Sequence, residues 1–321
     1  MTDTAETARI RSLRSAKQPV DPWQPLDVIV EEERGAGGES FTSVTVFLAG
    51  SECPFTCVFC DLWRHTLDQA TPPGALPMQL RIALQRAGSI SEPALIKLYN
   101  ASNFFEPRAV PADDLEAIAG QLGAFSRVTV ECHPRLLDER CRHFADLLDG
   151  QLEVALGLET AHPETLARLN KQMTLEDFDN AVSRVKAMGL ASRAFVLVGP
   201  PFLPTDQAAE WAVRSVEYAL ERGVSVVSLI PTRAGNGEME RLQEAGDFGP
   251  PTLATFELVV EESLALGRGV VLADLWGVEG LAGCSACHTA RIDRLRAMNQ
   301  SGRVEAPVIC DLCSDLTQGD S

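Results

Sequence analysis

No stretch of the 321-residue chain approaches the apolar length of a membrane span. The N-terminus, MTDTAETARIRSLRSAKQP, is polar and lacks the apolar core of an export signal. The expected compartment is therefore the cytoplasm, with no membrane partner. Basic residues are scarce: Lys and Arg number 28 against 45 Asp and Glu, a formal net charge of −17. A protein that grips nucleic acid over a broad surface carries an electropositive footprint, so any such contact here is expected to be local. The candidate patch is His288 to Arg303, where Arg291, Arg294, Arg296 and Arg303 face Asp293 alone. It reads equally as a phosphate-binding patch or a solvated helix face. Internal repeats and low-complexity tracts are also missing.

Cysteine, by contrast, is plentiful. Seven of the nine cysteines fall in two short-spaced groups. Such clustering argues for metal or redox chemistry in a reducing compartment, not for a disulfide framework. Cys132 and Cys141 stand apart and read as small buried hydrophobes.

Strand-like and helix-like segments alternate. Thr42 to Leu48 is β-branched and apolar, bounded by Gly50, and reads as a buried strand. Further strands are expected at Ala94–Tyr99, Arg127–Glu131, Leu152–Leu158, Ser192–Val198 and Val224–Ile230. Between them lie helical patterns with clear ends. One example is Thr174 with Asp177, a capping box ahead of Phe178, Ala181, Val182 and Val185, stopped by Gly189. Six β/α units predict an α/β fold with a parallel sheet, too few for a closed eight-unit barrel. The expectation is an open, partial (β/α)6 barrel over 42–249, after an N-terminal arm over 1–41. A C-terminal metal-binding extension over 250–321 begins near Gly249-Pro250-Pro251 and holds a possible strand, Val270–Ala273.

In such barrels chemistry gathers at the carboxyl ends of the strands. The first cysteine group, Cys53-Pro-Phe-Thr-Cys57-Val-Phe-Cys60, falls there, directly after the first strand. Asn100 to Asn103, Glu131, Glu159 and Pro200-Pro201 fall at the same end. Soft thiolates at this spacing suit an iron–sulfur cluster or zinc. Three ligands on a four-iron cluster leave one iron open to bind another molecule; a zinc site completed by a distant Cys or His is the alternative.

The pattern C-x3-C-x2-C, with Phe59 just before the last cysteine, resembles the radical S-adenosylmethionine (SAM) superfamily. The resemblance spans about residues 42 to 232. It implies a [4Fe–4S] cluster on Cys53, Cys57 and Cys60 whose open iron chelates SAM. It also implies a 5′-deoxyadenosyl radical as hydrogen abstractor and a reductant such as ferredoxin or flavodoxin. Leu156-Gly157-Leu158-Glu159-Thr160, with His162, Glu164, Leu166 and Asn170-Lys171, resembles the elongator-type and methylthiotransferase branch. Lys97-Leu98-Tyr99-Asn100 and the late cysteines resemble the radical subunit of archaeosine synthase, which implies a transfer-RNA base or nucleoside as substrate. A departure is the usual Gly-Gly-Glu-like segment, replaced by Asn100-Ala101-Ser102-Asn103; Asn100, Ser102 and Asn103 are carried over as SAM contacts. The resemblance also makes Phe59, Glu131, Glu159 and Arg193 candidate SAM contacts, with structural ion pairs as the alternative for the charged ones. Gly235-Asn236-Gly237 is a turn that would approach the adenine.

The second group is two knuckles, Cys284-x2-Cys287 and Cys310-x2-Cys313, 22 residues apart. It resembles a zinc ribbon. Zinc is expected, with an auxiliary iron–sulfur cluster as the alternative and His288 as a substitute ligand. Two other functions remain open at this point: a radical enzyme for a small-molecule or nucleotide metabolite, and a non-catalytic metal scaffold.

Overall fold

The computed structural model describes residues 5–316, with side chains to Cys313. Eight strands form one sheet in sequential order. They are β1 (Asp27–Arg34), β2 (Ser40–Phe47), β3 (Ala94–Tyr99), β4 (Arg127–Cys132), β5 (Gln151–Glu159), β6 (Ala191–Val198), β7 (Val226–Pro231) and β8 (Val270–Ala273). β1 pairs antiparallel with β2, and every later pair is parallel.

The helices are α1 (Ala5–Ser12), α2 (Ala75–Ala87), α3 (Asp114–Ala119), α4 (Glu139–Leu147), α5 (Pro163–Arg168) and α6 (Leu175–Ala187). Then come α7 (Ala208–Glu221), α8 (Glu238–Glu244), α9 (Leu253–Ala265), α10 (His288–Ser301) and α11 (Asp311–Leu316). The capping box at Thr174 and Asp177 starts α6 as expected.

Side-chain alternation explains the curvature. Along β5, Leu152, Val154, Leu156 and Leu158 join the large core beneath the helices, while Glu153, Ala155, Gly157 and Glu159 alternate with them. β2, β4 and β6 repeat the pattern with Val44 and Val46, Val128 and Val130, and Ala194 and Val196 in the core. The other face turns inward on itself. Arg193 of β6 reaches Glu33 of β1 at 2.5 Å, five strands away in the sheet order. That contact requires a sheet curled into a barrel.

Two strands enlarge the expected six-unit barrel. Val270–Ala273 joins as β8. Where the sequence reading has only an N-terminal arm, Asp27–Arg34 forms β1 and Ala5–Ser12 forms α1. β1 carries Asp27, Glu31, Glu32, Glu33 and Arg34 in eight residues, so its apolar run is only Val28-Ile29-Val30; only Glu33 is fully buried. It is an edge strand, whose charges are typical of a sheet margin.

Candidate active site and metal centre

The loop after β2 places Cys53, Cys57 and Cys60 together at the carboxyl end of the barrel, each half-buried. Five asparagine or backbone contacts from distant segments fix it. Asn170 Nδ2 donates to Thr56 O at 2.7 Å, and Val58 N donates to Leu169 O at 3.0 Å. Asn236 Nδ2 donates to Val58 O at 2.7 Å and to Cys60 O at 3.1 Å. Asn103 Nδ2 lies 3.2 Å from Cys53 Sγ. Val58 anchors the loop in a small core with Ile10, Met239, Leu242 and Phe248, and Phe59 packs against that core and the main one. Asn236 therefore holds the cysteine loop itself, where the sequence reading turns it toward adenine.

Burial pushes all three thiols up to about 12. As thiols they hold their protons, and a metal group must displace those protons to gain thiolate ligands.

Two charged groups sit beside them. Glu159 follows a bulge in β5 and adopts φ 66°, a left-handed conformation that re-aims its side chain. Lys171 Nζ donates to Glu159 Oε1 at 2.6 Å, and both side chains are more than nine-tenths buried. The pair folds over Gly157, where any Cβ would collide with both. Burial opposes the charge on Lys171, but Glu159 outweighs it and keeps the ammonium protonated. Next to Lys171, the His133 ring stacks on Phe55 with centroids 3.7 Å apart, and its Nε2 lies 3.0 Å from Lys171 O. Burial, then the Lys171 charge, lower His133 to about 2, so the imidazole is neutral.

Glu131 faces a different task. Its Oε1 accepts the Asn100 N–H at 2.7 Å, and the Ala101 and Ser102 N–H groups also favour its charge. Ala101 at φ 53° turns the three N–H groups into a nest around one carboxylate. Burial nonetheless raises Glu131 to about 7. Glu131 thus shapes the Asn100–Asn103 turn from below. Within that turn, Asn100 Nδ2 and Ser102 Oγ are buried with no hydrogen-bond partner in the protein. Buried orphan donors are rare and fit a polar ligand.

Arg193 is not in this group. It lies low in the barrel, bonding Glu153 at 2.8 Å, Glu33 at 2.5 Å and Ser228 at 3.2 Å. Its guanidinium is consumed as a structural ion pair, which corrects its candidacy as a SAM contact. Between that floor and the cysteine loop runs a string of half-buried rings: Trp276, Phe47, Tyr99 and Phe195. Their successive centroid distances are 5.1, 6.3 and 6.0 Å. The sequence reading misses this lining, because its four members come from four separate segments.

At the other end of the chain, Cys284, Cys287, Cys310 and Cys313 converge, with all four sulfurs within 4.8 Å of one another. Backbone N–H groups of Ala286 and Cys287 draw the Cys284 thiol down to about 7. His288 instead directs Nε2 to Leu281 O at 3.0 Å. The neighbouring arginines are committed to carboxylates: Arg291 to Glu257, Arg294 to Glu257 and Glu261, and Arg296 to Asp293. Neither reading of the stretch holds for Arg291 and Arg294, which are largely buried in ion pairs with α9; Arg296 stays on the solvated face. Cys132 and Cys141 are buried in the main core. No helix among the described residues is long and apolar enough to cross a membrane.

The family model described as the Radical SAM superfamily matches residues 48–212. The chain is similar to archaeosine synthase subunit beta of Methanosarcina acetivorans, 25% identical over 88% of this chain and 83% of the relative. The same-named protein of Thermococcus kodakarensis is 23% identical over 67% and 68%. Among solved structures, methylornithine synthase superposes with a TM-score of 0.55 at 14% identity, covering 84% of this chain and 72% of that one.

Proposed function

The chain belongs to the radical SAM superfamily, and from that premise we propose that it modifies a nucleoside or transfer-RNA base in the manner of archaeosine synthase. Membership makes it an enzyme that needs a reductant and a substrate, and sets aside the non-catalytic scaffold. The observation that carries the radical chemistry is the cysteine loop, three buried-end thiols beside a buried cation at the carboxyl end of the barrel.

The donor set fits the implied group. Cys53, Cys57 and Cys60 would hold the [4Fe–4S] cluster, and Asn100, Ser102 and Asn103 would meet SAM through their amide and hydroxyl groups. When bound, the cluster and SAM supply a carbon-centred radical that takes hydrogen from the substrate. The chain's own residues do the rest. Lys171 balances the negative charge of the thiolates and offers the cation to a carboxylate that Arg193 does not. Glu159 holds Lys171 in place and offers its second oxygen to a ribose hydroxyl. Neutral His133, stacked on Phe55, closes one wall without adding charge. Phe59 fixes the loop's approach and offers a ring edge beside the adenine.

The substrate reading rests on the rings of Phe47, Tyr99, Phe195 and Trp276, a lining suited to a flat heterocycle. The relatives named archaeosine synthase subunit beta support it. A second reading, a free nucleotide or other small metabolite, is favoured by the net charge of −17 and by the committed arginines of α10. The C-terminal cysteines take zinc on this proposal, not an auxiliary cluster. Nine free cysteines suit a reducing cytoplasm, with ferredoxin or flavodoxin as donor.

The deciding experiment is anaerobic reconstitution with iron and sulfide, then reduction with SAM, following 5′-deoxyadenosine by chromatography. Product is expected with the parent and not with Cys57→Ala. Addition of transfer RNA should raise turnover more than free nucleosides do. Equal stimulation by nucleosides would move the substrate to the second reading.

A further inference from the structure

We infer that the C-terminal metal is a clasp: one tetrahedral zinc-type ion on Cys284, Cys287, Cys310 and Cys313 fixes the helix that seals the seam between β1 and β8. The inference rests on the zinc reading of these cysteines given above and adds what the ion holds together.

The sulfur spacing sets the class of ligand. Cys284 and Cys310 Sγ are 3.9 Å apart, and Cys287 and Cys313 Sγ are 3.7 Å apart. Four thiolates around one zinc, at about 2.3 Å each, lie roughly 3.8 Å apart by tetrahedral geometry. A four-iron cube sets a separate iron behind each sulfur and spreads the set by the width of the cube. The observed set fits a single ion. Four protein ligands also close the coordination shell, which marks a structural site.

The chain beyond the ion shows what it secures. β1 and β8 are the two ends of the strand order, so neither pairs with the other. α10 lies against both strands and against α9. Cys287 is the residue that caps the start of α10. One turn on, Arg291 Nε donates to Cys287 Sγ at 3.2 Å while its other end pairs with Glu257 of α9. Arg294 extends this ladder to Glu257 at 2.8 Å, and its Nε donates to Ala306 O at 2.9 Å, on the segment returning to Cys310.

At the far end of α10, Asn299 makes the contact that β1 does not. Its Oδ1 accepts the Ala273 N–H at 2.8 Å, and its Nδ2 donates to Ala273 O at 2.9 Å. One side chain thus satisfies both edge groups of a β8 residue. Gly302, at φ 66°, ends the helix where the Arg34 guanidinium of β1 covers it and leaves no room for a Cβ. Three residues past Ala273 stands Trp276, whose ring meets Phe47. The ion, the helix, the last strand and one wall of the ring-lined lumen form a single mechanical series.

The test is metal analysis and hydrogen–deuterium exchange on the full, cluster-loaded chain. One zinc per chain is expected beside the iron, retained in Cys57→Ala and lost in Cys310→Ser. In Cys310→Ser, and also in Asn299→Ala, which keeps every ligand, amides of 270–276 should exchange roughly tenfold faster, the effect of one lost hydrogen-bonded pair. Amides of 127–132, on the far wall, should not change. Iron with labile sulfide in place of zinc in Cys57→Ala would overturn the zinc reading itself. Zinc present, with exchange at 270–276 unmoved in both variants, would leave that reading standing and overturn the clasp. Asn299→Ala guards the test against a Cys310→Ser chain that fails to fold.

Discussion

Lys171 and Glu159 show how strongly the site leans on single side chains. Each is buried, and each is the other's direct charge partner at 2.6 Å. Removing one member of a buried pair strands the other, at a cost of ~3–5 kcal/mol. Lys171→Met should therefore lower stability by about that amount in anaerobic urea unfolding. Lys171→Met combined with Glu159→Gln should regain much of it, because no buried charge is left alone. Equal loss in the single and double variants would show that shape, not charge, is what matters there. Glu131 makes the opposite case. Its ordinary carboxyl value of 4.5 is raised to about 7. A raised carboxyl is costless in acid, and its penalty grows as pH climbs from 4.5 through 7, up to ~3 kcal/mol above that. Glu131→Gln carries no charge and escapes the penalty. The melting temperature of Glu131→Gln relative to the parent should accordingly rise between pH 5 and pH 8; a difference that stays flat with pH would refute the burial argument.

At the scale of elements, the turn between β7 and α8 ties the cysteine loop to α1. Asn236 holds two carbonyls of the loop, and Gly237 abuts Leu13 so closely that no Cβ fits. Glu238, fully buried, then pairs with Arg9 of α1 and with Arg241 at 2.8 Å. Asn236→Ala should leave the barrel folded but free the loop, so that a chelator strips iron from the loaded protein several-fold faster than from the parent. Arg9→Ala should have a smaller effect, because Arg241 still neutralises Glu238. Iron loss at the parental rate in Asn236→Ala would mean that the loop is held by its core residue Val58 instead. This division also marks what sequence could reveal. The cysteine loop, both knuckles and the capping box at Thr174 are local patterns, complete within a few residues, and were legible. The role of Asn236 depends on a partner 176 residues away, and no spacing rule reaches that far. β1 was hidden for another reason: its three apolar residues, Val28 to Val30, run straight into four charged ones, Glu31 to Arg34, so the apolar alternation that betrays other strands is missing.

At the scale of the whole molecule, the floor of the barrel is a charge network drawn from strands far apart in sequence. Arg193 of β6 bonds Glu153 of β5 and Glu33 of β1, and Lys97 of β3 also pairs with Glu33, at 2.5 Å. A sequence reading sees Arg193 only as a cation near an expected site; the closure of the sheet gives it this other employment. Burial works against the charge on Glu33, yet Arg193 and Lys97 overcome it and hold the carboxyl at about 2, below its ordinary 4.5. A depressed carboxyl contributes stability that is fully present above 4.5 and is lost as pH falls toward 2. The shift corresponds to ~3 kcal/mol. Arg193→Met deprives Glu33 and Glu153 of their common partner, so it should destabilise the chain by ~3–5 kcal/mol at pH 7. The gap between parent and variant should then narrow as pH drops from 4.5 toward 2, because the protonated Glu33 carboxyl no longer needs the guanidinium. Urea unfolding across that range reads it directly. A gap that stays constant with pH would show that Arg193 closes the barrel by filling space and not through its charge.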